Sequence, residues 1–327
     1  MSLNAFSLKD IFIARKRISK IVRKTPLMIP SALSKFAGST IYLKLENMQP
    51  TGAFKIRGAS NMMLSLSKEE SERGVITVSS GNHGRAVAYV ASLLGIKATI
   101  CLPTTVPMNK RAAIQALGAE IRICGENYDS AMIYADQLHA ETDMIMIPAF
   151  DNLRIIAGQG TIGLELLEEI PDLNTIIVPL SGGGLISGIA YAAKHISPDI
   201  NLVGVSMDRG AAMFESVKAG KVVEIIEEPT LADALAGGLN KDNQFTLPMV
   251  HQFVDETILV SEEEIAEGIR HSLMEEHIVV EGGAAVGISA LLSEKVQNLG
   301  KKTAVVISGG NISIPVLQEI INTNPMK

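Results

Sequence analysis

Ile41-Tyr42-Leu43-Lys44-Leu45, followed by Pro50-Thr51-Gly52-Ala53-Phe54-Lys55, is the stretch on which the reading of this chain turns. The first run alternates as a strand does, Pro and Gly mark a turn, and a helix is expected to begin at Lys55. A lysine in a first helical turn sits against the positive end of the helix macrodipole, and most lysines are solvated. Two readings follow. Lys55 is an exposed helix-start lysine, or it is an amine kept beside the Phe54 ring for covalent chemistry.

On the N-terminal side, Ser7-Leu8-Lys9-Asp10 has capping-box spacing, and Leu8, Ile11, Phe12, Ile18, Ile21 and Val22 recur at helical spacing. Thr25-Pro26 ends that helix, and a short segment begins near Ser31. On the C-terminal side, strands are expected at 75–78, 98–101, 120–123 and 144–147, with helices over 84–94, from Pro107, and over about 128–141. A second series follows: helix 153–169, strand 175–178, helix 185–195, strand 202–205 and helix 211–219. Residues 227–247 are rich in Gly, Asp, Asn and Pro and read as an irregular excursion that could line a site. Ser261 and Glu264 start a helix through Ile265, Ile269 and Leu273, and 303–307 is a final buried strand. Alternating strand and helix predicts an α/β fold of two mostly parallel-sheet domains.

The bulk numbers agree with that division and exclude other classes. At 327 residues and 47% hydrophobic, the chain is long enough for two compact cores. With 29 Lys and Arg against 35 Asp and Glu, the net charge is -6, and no basic run offers a footprint for nucleic acid or an anionic membrane. Cys101 and Cys124 lack metal-ligand spacing and read as buried free thiols in a reducing compartment. No leader-type segment opens the chain, and no apolar run reaches the roughly 18 residues of a membrane span. A cytoplasmic protein is expected.

Three further glycine turns follow predicted strands. Ser181-Gly182-Gly183-Gly184-Leu185 lets successive backbone N–H groups approach one oxyanion at a helix N-terminus, an arrangement that binds phosphate without a basic side chain. Ser79-Ser80-Gly81-Asn82-His83-Gly84 opens another helix and could hold a carboxylate, although its residues are also ordinary caps. His83 reads as a structural histidine, since no carboxylate partner is near it in sequence. Ser308-Gly309-Gly310-Asn311 is the third turn. Gly158-Gln159-Gly160-Thr161-Ile162-Gly163 has dinucleotide-loop spacing, but it does not follow a strand directly, and close helix packing explains it better. In an open parallel sheet the strand ends gather at one edge. A lysine, a phosphate cradle and polar turns converging there suit a phosphorylated aldehyde cofactor, pyridoxal 5'-phosphate.

These stretches resemble, almost end to end, the serine/threonine dehydratase family of pyridoxal-phosphate enzymes, of the fold shared with tryptophan synthase β chains. Thr51 to Ala59 looks like the family's Schiff-base lysine motif, Ser80 to Gly84 like its substrate loop, Ser181 to Leu185 like its phosphate loop, and Ser308 to Asn311 completes the set. The resemblance implies two open α/β domains with the cofactor between them: 1–49 with 150–327 as the large cofactor-binding domain, and 50–149 as the small substrate-loop domain. It implies that Lys55 holds the cofactor with Phe54 beside it. Asn82 would bond the ring hydroxyl, Gly182, Gly183, Gly184 and Leu185 would bind the phosphate, and Ser308 would face the pyridine nitrogen. Ser79, Ser80, Gly81, Asn82 and His83 would bind substrate, with Lys55 and Ser80 catalytic.

The activity implied is an ammonia-lyase that converts L-threonine, L-serine or a related 3-hydroxy amino acid to a 2-oxo acid and ammonia, in a homodimer or homotetramer. Ser80 matches the opposite-face acid/base of serine racemases, which makes racemisation an alternative. Thr230 to Leu239 and Glu281 to Ala285 look closest to the hydroxyectoine-utilisation dehydratase branch, a second alternative, and a non-catalytic small-molecule binding protein is a third. Ser206 and Ala212 stand where metal-dependent members place carboxylates, so no metal site is expected. No room remains after the last helix for a regulatory domain, and feedback control of that kind is not expected.

Overall fold

The computed structural model describes residues 5–106 and 108–323. Its strands are β1 (Leu27–Met28), β2 (Thr40–Leu45), β3 (Val75–Val78), β4 (Ala98–Leu102), β5 (Glu120–Ile123), β6 (Ile145–Met146), β7 (Thr175–Pro179), β8 (Asn201–Met207), β9 (Glu256–Val260) and β10 (Lys302–Ile307). They form a six-stranded sheet in the order β1-β2-β10-β7-β8-β9 and a four-stranded sheet in the order β5-β4-β3-β6. All neighbours are parallel except β1 and β2. The expected α/β class with two mostly parallel sheets is what the chain adopts.

Helices cover both faces of these sheets, so central strands are apolar throughout. β3 (VITV), β4 (ATICL) and β7 (TIIVP) are buried at every position, and their β-branched residues suit a pleated, enclosed surface. β5 is an edge strand and mostly exposed; Glu120 and Arg122 pair across 2.6 Å on it, and such charges discourage edge-to-edge association.

Helix Leu153–Glu169 is buried along nearly all its length and lies between helix Lys55–Met63 and helix Gly184–Ile196. Its glycines make this possible. A Cβ on Gly158 would lie 2.6 Å from Arg57 O, one on Gly160 2.9 Å from Gly188 O, and one on Gly163 3.0 Å from Ile189 O. The G-x-G-x-x-G spacing is therefore a helix-packing device, and it sets the lysine helix and the glycine-loop helix on either side of one rod.

A buried ionic cluster ties the same helices to β2. Arg57 Nε bonds Glu46 Oε2 at 2.8 Å, its Nη1 bonds Glu165 Oε1 at 2.7 Å, and Lys44 Nζ lies 2.6 Å from Glu165 Oε2. Two cations face two anions, and Thr25 Oγ1 also donates to Glu46. Burial alone would raise the Glu46 carboxyl, but the Arg57 charge and hydrogen bond hold it below the usual carboxylate range.

Some elements differ from expectation. The first helix ends at Ile18, and Ile21 and Val22 pack instead against the core of the small sheet. Residues 222–245 are irregular as expected, but helix Thr246–Phe253 then begins inside the predicted excursion. The predicted helix start Pro107 lies outside the described residues; the helix is seen from Met108. Cys101 and Cys124 are free and buried in one shared cluster, and burial pushes the Cys101 thiol up to about 12.

Candidate active site

Lys55 is the first residue of its helix, and the turn before it is tied to the far end of the chain. Gly52 takes a left-handed conformation (φ 74°), Gly310 N donates to Gly52 O at 2.9 Å, Phe54 N donates to Ser308 O at 3.0 Å, and Ala53 bridges Gly309. These bonds join the lysine turn to the turn after β10. The Lys55 amine lies 5.3 Å from the Phe54 ring centroid and donates to Ala149 O at 2.8 Å. It has no carboxylate partner among the described residues, and burial brings its pKa down to about 8.

The residue after that acceptor shapes the glycine loop. A Cβ on Gly182 would lie 2.5 Å from the Phe150 ring, and one on Gly184 would lie 3.0 Å from Phe150 Cα. Gly183 has φ 84°, and its Cβ would lie 2.7 Å from Met213 Cε. Side chains are thus excluded from this loop by what lies beneath it. The loop caps helix Gly184–Ile196, whose first-turn N–H groups have no intrahelical acceptor. Ser181 Oγ donates to Leu235 O at 2.8 Å, which brings the irregular 222–245 segment to the loop. A bare-backbone cradle at the N-terminus of a helix, one residue away in contact from the lysine's acceptor, fits a phosphorylated aldehyde.

The turn after β3 supplies the other wall. A Cβ on Gly84 would lie 2.1 Å from Ser79 O, so the loop closes tightly into helix Asn82–Leu94. His83 is buried with Nε2 2.9 Å from Ile147 O; since a carbonyl only accepts, Nε2 carries the proton. Burial, aided by the Lys55 charge, lowers its pKa to about 3, so it is neutral at any ordinary pH. Ser79 Oγ accepts from Gly81 N at 3.3 Å, and the half-buried Ser80 hydroxyl bonds no described residue.

Asn82 Nδ2 donates to Glu281 Oε1 at 2.6 Å, and Asn82 Oδ1 accepts from Asn311 Nδ2 at 2.7 Å. Glu281 caps helix Gly282–Leu292 and is buried. Burial and the nearby Asp233 carboxylate push its pKa up to about 7, against the hydrogen bonds from Asn82 and Asn311. Sequence reading missed this residue as part of the site. Its one signal was an acid ahead of Gly-Gly at a helix start, which also describes an ordinary cap. Ser308 is buried beneath the same turn. No group of three or more metal-ligating side chains occurs among the described residues, and none of their helices is long and apolar enough to cross a membrane.

The profile of a family described as pyridoxal-phosphate dependent enzyme matches residues 18–310. A Sinorhizobium fredii protein provisionally named threonine dehydratase is 47% identical over 98% of this chain and 96% of its own. A Thermotoga maritima L-threonine ammonia-lyase is 41% identical over 98% of this chain and 79% of its own. Among solved structures, maize serine racemase superposes with a TM-score of 0.91 at 35% identity, covering 96% of each chain. A match of this extent, on a chain whose lysine, glycine cradle and polar turns meet at one site, means that it belongs to the pyridoxal-phosphate dependent enzyme family.

Proposed function

We propose that this chain is a pyridoxal-phosphate-dependent ammonia-lyase that converts L-threonine, L-serine or a related 3-hydroxy amino acid to a 2-oxo acid and ammonia. The observation that carries the reading is the Ala149–Phe150 pair, which accepts the Lys55 amine at 2.8 Å and underlies Gly182 and Gly184. A reactive amine and a phosphate cradle thereby share one support. The names of the Sinorhizobium and Thermotoga relatives favour threonine among the substrates.

Bound cofactor supplies an electron sink that acidifies the Cα–H of the attached amino acid. In this reading Lys55 holds the cofactor and Phe54 flanks it. Gly182, Gly183, Gly184 and Leu185 take the phosphate, Asn82 the ring hydroxyl, and Ser308 the ring nitrogen. Ser79, Ser80, Gly81, Asn82 and His83 line the substrate side. Lys55 Nζ, its pKa brought down to about 8 by burial, would be the base that takes the Cα proton. The β-hydroxyl would leave as water with the proton taken from Cα, and a second water would hydrolyse the released enamine to 2-oxo acid and ammonia. Atoms balance: one water leaves and one enters. In this reading the small domain that carries the substrate loop is drawn from 50–149, and the large one from 1–49 with 150–327. The enzyme works in the cytoplasm as a homodimer or homotetramer.

A second reading has a specific observation in its favour. The Ser80 hydroxyl, bonded to no described residue, is free to return a proton to Cα from the other face, which gives racemisation beside elimination. A hydroxyectoine-derived amino acid remains an alternative substrate. The test is 2-oxo-acid release from threonine, serine, 3-hydroxyaspartate and hydroxyectoine-derived amino acids, with Lys55→Ala as blank. Threonine is expected to be turned over and the blank to be silent; release surviving in the blank removes Lys55 from the mechanism.

A further inference from the structure

We propose that Glu281 and Asn311 are positioning residues for Asn82, holding its side-chain amide in the one orientation that leaves an N–H for the cofactor's ring hydroxyl. The proposal rests on the cofactor assignment above. An asparagine amide is nearly symmetric in shape, so its partners decide which end points where. Here the partners form a chain of donors with a fixed direction. Arg85 Nη1 donates to Asn311 Oδ1, Asn311 Nδ2 donates to Asn82 Oδ1 at 2.7 Å, and Asn82 Nδ2 donates to Glu281 Oε1 at 2.6 Å.

The Arg85 end of that chain sets its direction. A guanidinium has no acceptor, so Arg85 fixes the Asn311 oxygen toward itself, Asn311 then presents its N–H to the Asn82 oxygen, and neither amide can reverse without setting two like groups against each other; Glu281, once ionised, accepts at the other end. Asn311 is held twice more: its Nδ2 also donates to Thr51 O at 3.0 Å, and its backbone N donates to Glu281 Oε2 at 3.2 Å. Asn82 has two N–H groups, and Glu281 engages one. With its oxygen held by Asn311, the amide can present only a donor to a ligand. Were it reversed, an oxygen would face the ring oxygen, and the contact would depend on the ring hydroxyl's own proton.

The backbone makes room for this arrangement. A Cβ on Gly309 would lie 2.3 Å from Glu281 Oε1, so a glycine there gives the carboxylate its place. The four participants come from three separate segments: Asn82 and Arg85 from the helix after β3, Asn311 from the turn after β10, and Glu281 from the cap of helix Gly282–Leu292. The chain of bonds therefore also fixes where the small sheet's loop stands relative to the large sheet.

The test uses full-length enzyme reconstituted with pyridoxal phosphate. Its affinity is measured by absorbance titration, and the cofactor's visible band and thermal melting are recorded for each variant. Glu281→Ala and Asn82→Ala are each expected to weaken cofactor binding about tenfold, the factor of one lost hydrogen bond. The double variant should be no weaker than Asn82→Ala alone, because Glu281 acts through Asn82. Glu281→Gln keeps an acceptor for Asn82 and should stay within about threefold of the parent. If Glu281→Ala fails to fold, Asn311→Asp serves instead: it sets an acceptor against Asn82 Oδ1 and should cost as much as Asn82→Ala. Additive losses in the double variant, a Glu281→Ala protein with unchanged affinity and band, or a Glu281→Gln protein as weak as the alanine variant would each overturn the proposal. A parent protein that binds no pyridoxal phosphate would instead sink the cofactor assignment beneath it.

Discussion

Lys55 and His83 reach the same short run of backbone from two sides: the amine donates to Ala149 O at 2.8 Å, and the imidazole Nε2–H meets Ile147 O at 2.9 Å. Each is a base held next to the other with no carboxylate between them. Burial disfavours a proton on either, and for His83 the Lys55 charge adds to it. With a pKa of about 3, His83 should show no NMR titration between pH 5 and 8. Its folded pKa lies below the unfolded value of about 6.5, so the unfolded chain binds the extra proton between those limits. Stability should fall as pH drops through that window, by about 3 kcal/mol at pH 4. The difference between urea midpoints of the parent and His83→Gln across this pH range measures this.

The Lys55 amine, lowered to about 8, should capture its aldehyde more readily than a solvated lysine at neutral pH. Rates of pyridoxal phosphate recombination with stripped protein should rise with pH and level off above a midpoint near 8. A midpoint near 10 would mean that the amine is solvated.

Glu281, at about 7, predicts a second pH effect. Asp233, itself paired with Lys110 at 3.0 Å, and the donors Asn82 and Asn311 face it. Its folded pKa lies above the unfolded value of about 4.3, so its contribution to stability is full at low pH and is lost as pH rises to about 7. Cofactor affinity should move the other way, improving from pH 6 to 8 as the carboxylate becomes an acceptor only. Glu281→Gln should remove that component, which is read as the difference between the two affinity profiles.

Arg57→Met leaves Glu46 and Glu165 facing each other without their shared cation. Breaking a buried pair costs about 3–5 kcal/mol, so a large drop in urea midpoint is expected. Replacing all four, Lys44 included, with apolar residues of similar volume should recover much of the loss, as solvation rather than attraction dominates such clusters.

Gly158→Ala sets a methyl 2.6 Å from Arg57 O, where backbone rather than a flexible side chain must give way. A loss of about 1–3 kcal/mol is expected from overpacking. Because the pushed helix begins at Lys55, cofactor affinity should fall with stability, whereas Gly38→Ala, with open space around it, should lower stability alone.

Much of this was legible in sequence because the signals are local. Strand, glycine turn and helix follow one another within ten or so residues, so Lys55, Ser79 to Gly84, Ser181 to Leu185 and Ser308 to Asn311 could each be read where they stand. Turns following parallel strands must share an edge, so their meeting was also inferable. Partnerships were not. Asn82 and Glu281 are 199 positions apart, and Arg57 and Glu165 are 108 apart. A lone Glu in a cap or an Arg in a helix carries no mark of its future partner. β1 and β9 were missed for a related reason: two residues give no periodicity, and ETILV at a sheet edge is only partly buried.

The place of β10 bears on how the molecule comes into being. Lying between β2 and β7, it is the piece that unites β2 with the rest of the large sheet, and it is made after all the other strands. Until it arrives, β2 has only the two-residue β1 beside it, and the turn that anchors Ala53 and Phe54 does not exist. Pairings between such remote segments form slowly because the loop they close is long. The nascent protein is thus blind to its cofactor until its tenth strand has been made, and acquires in that one step both its keystone strand and the means to colour.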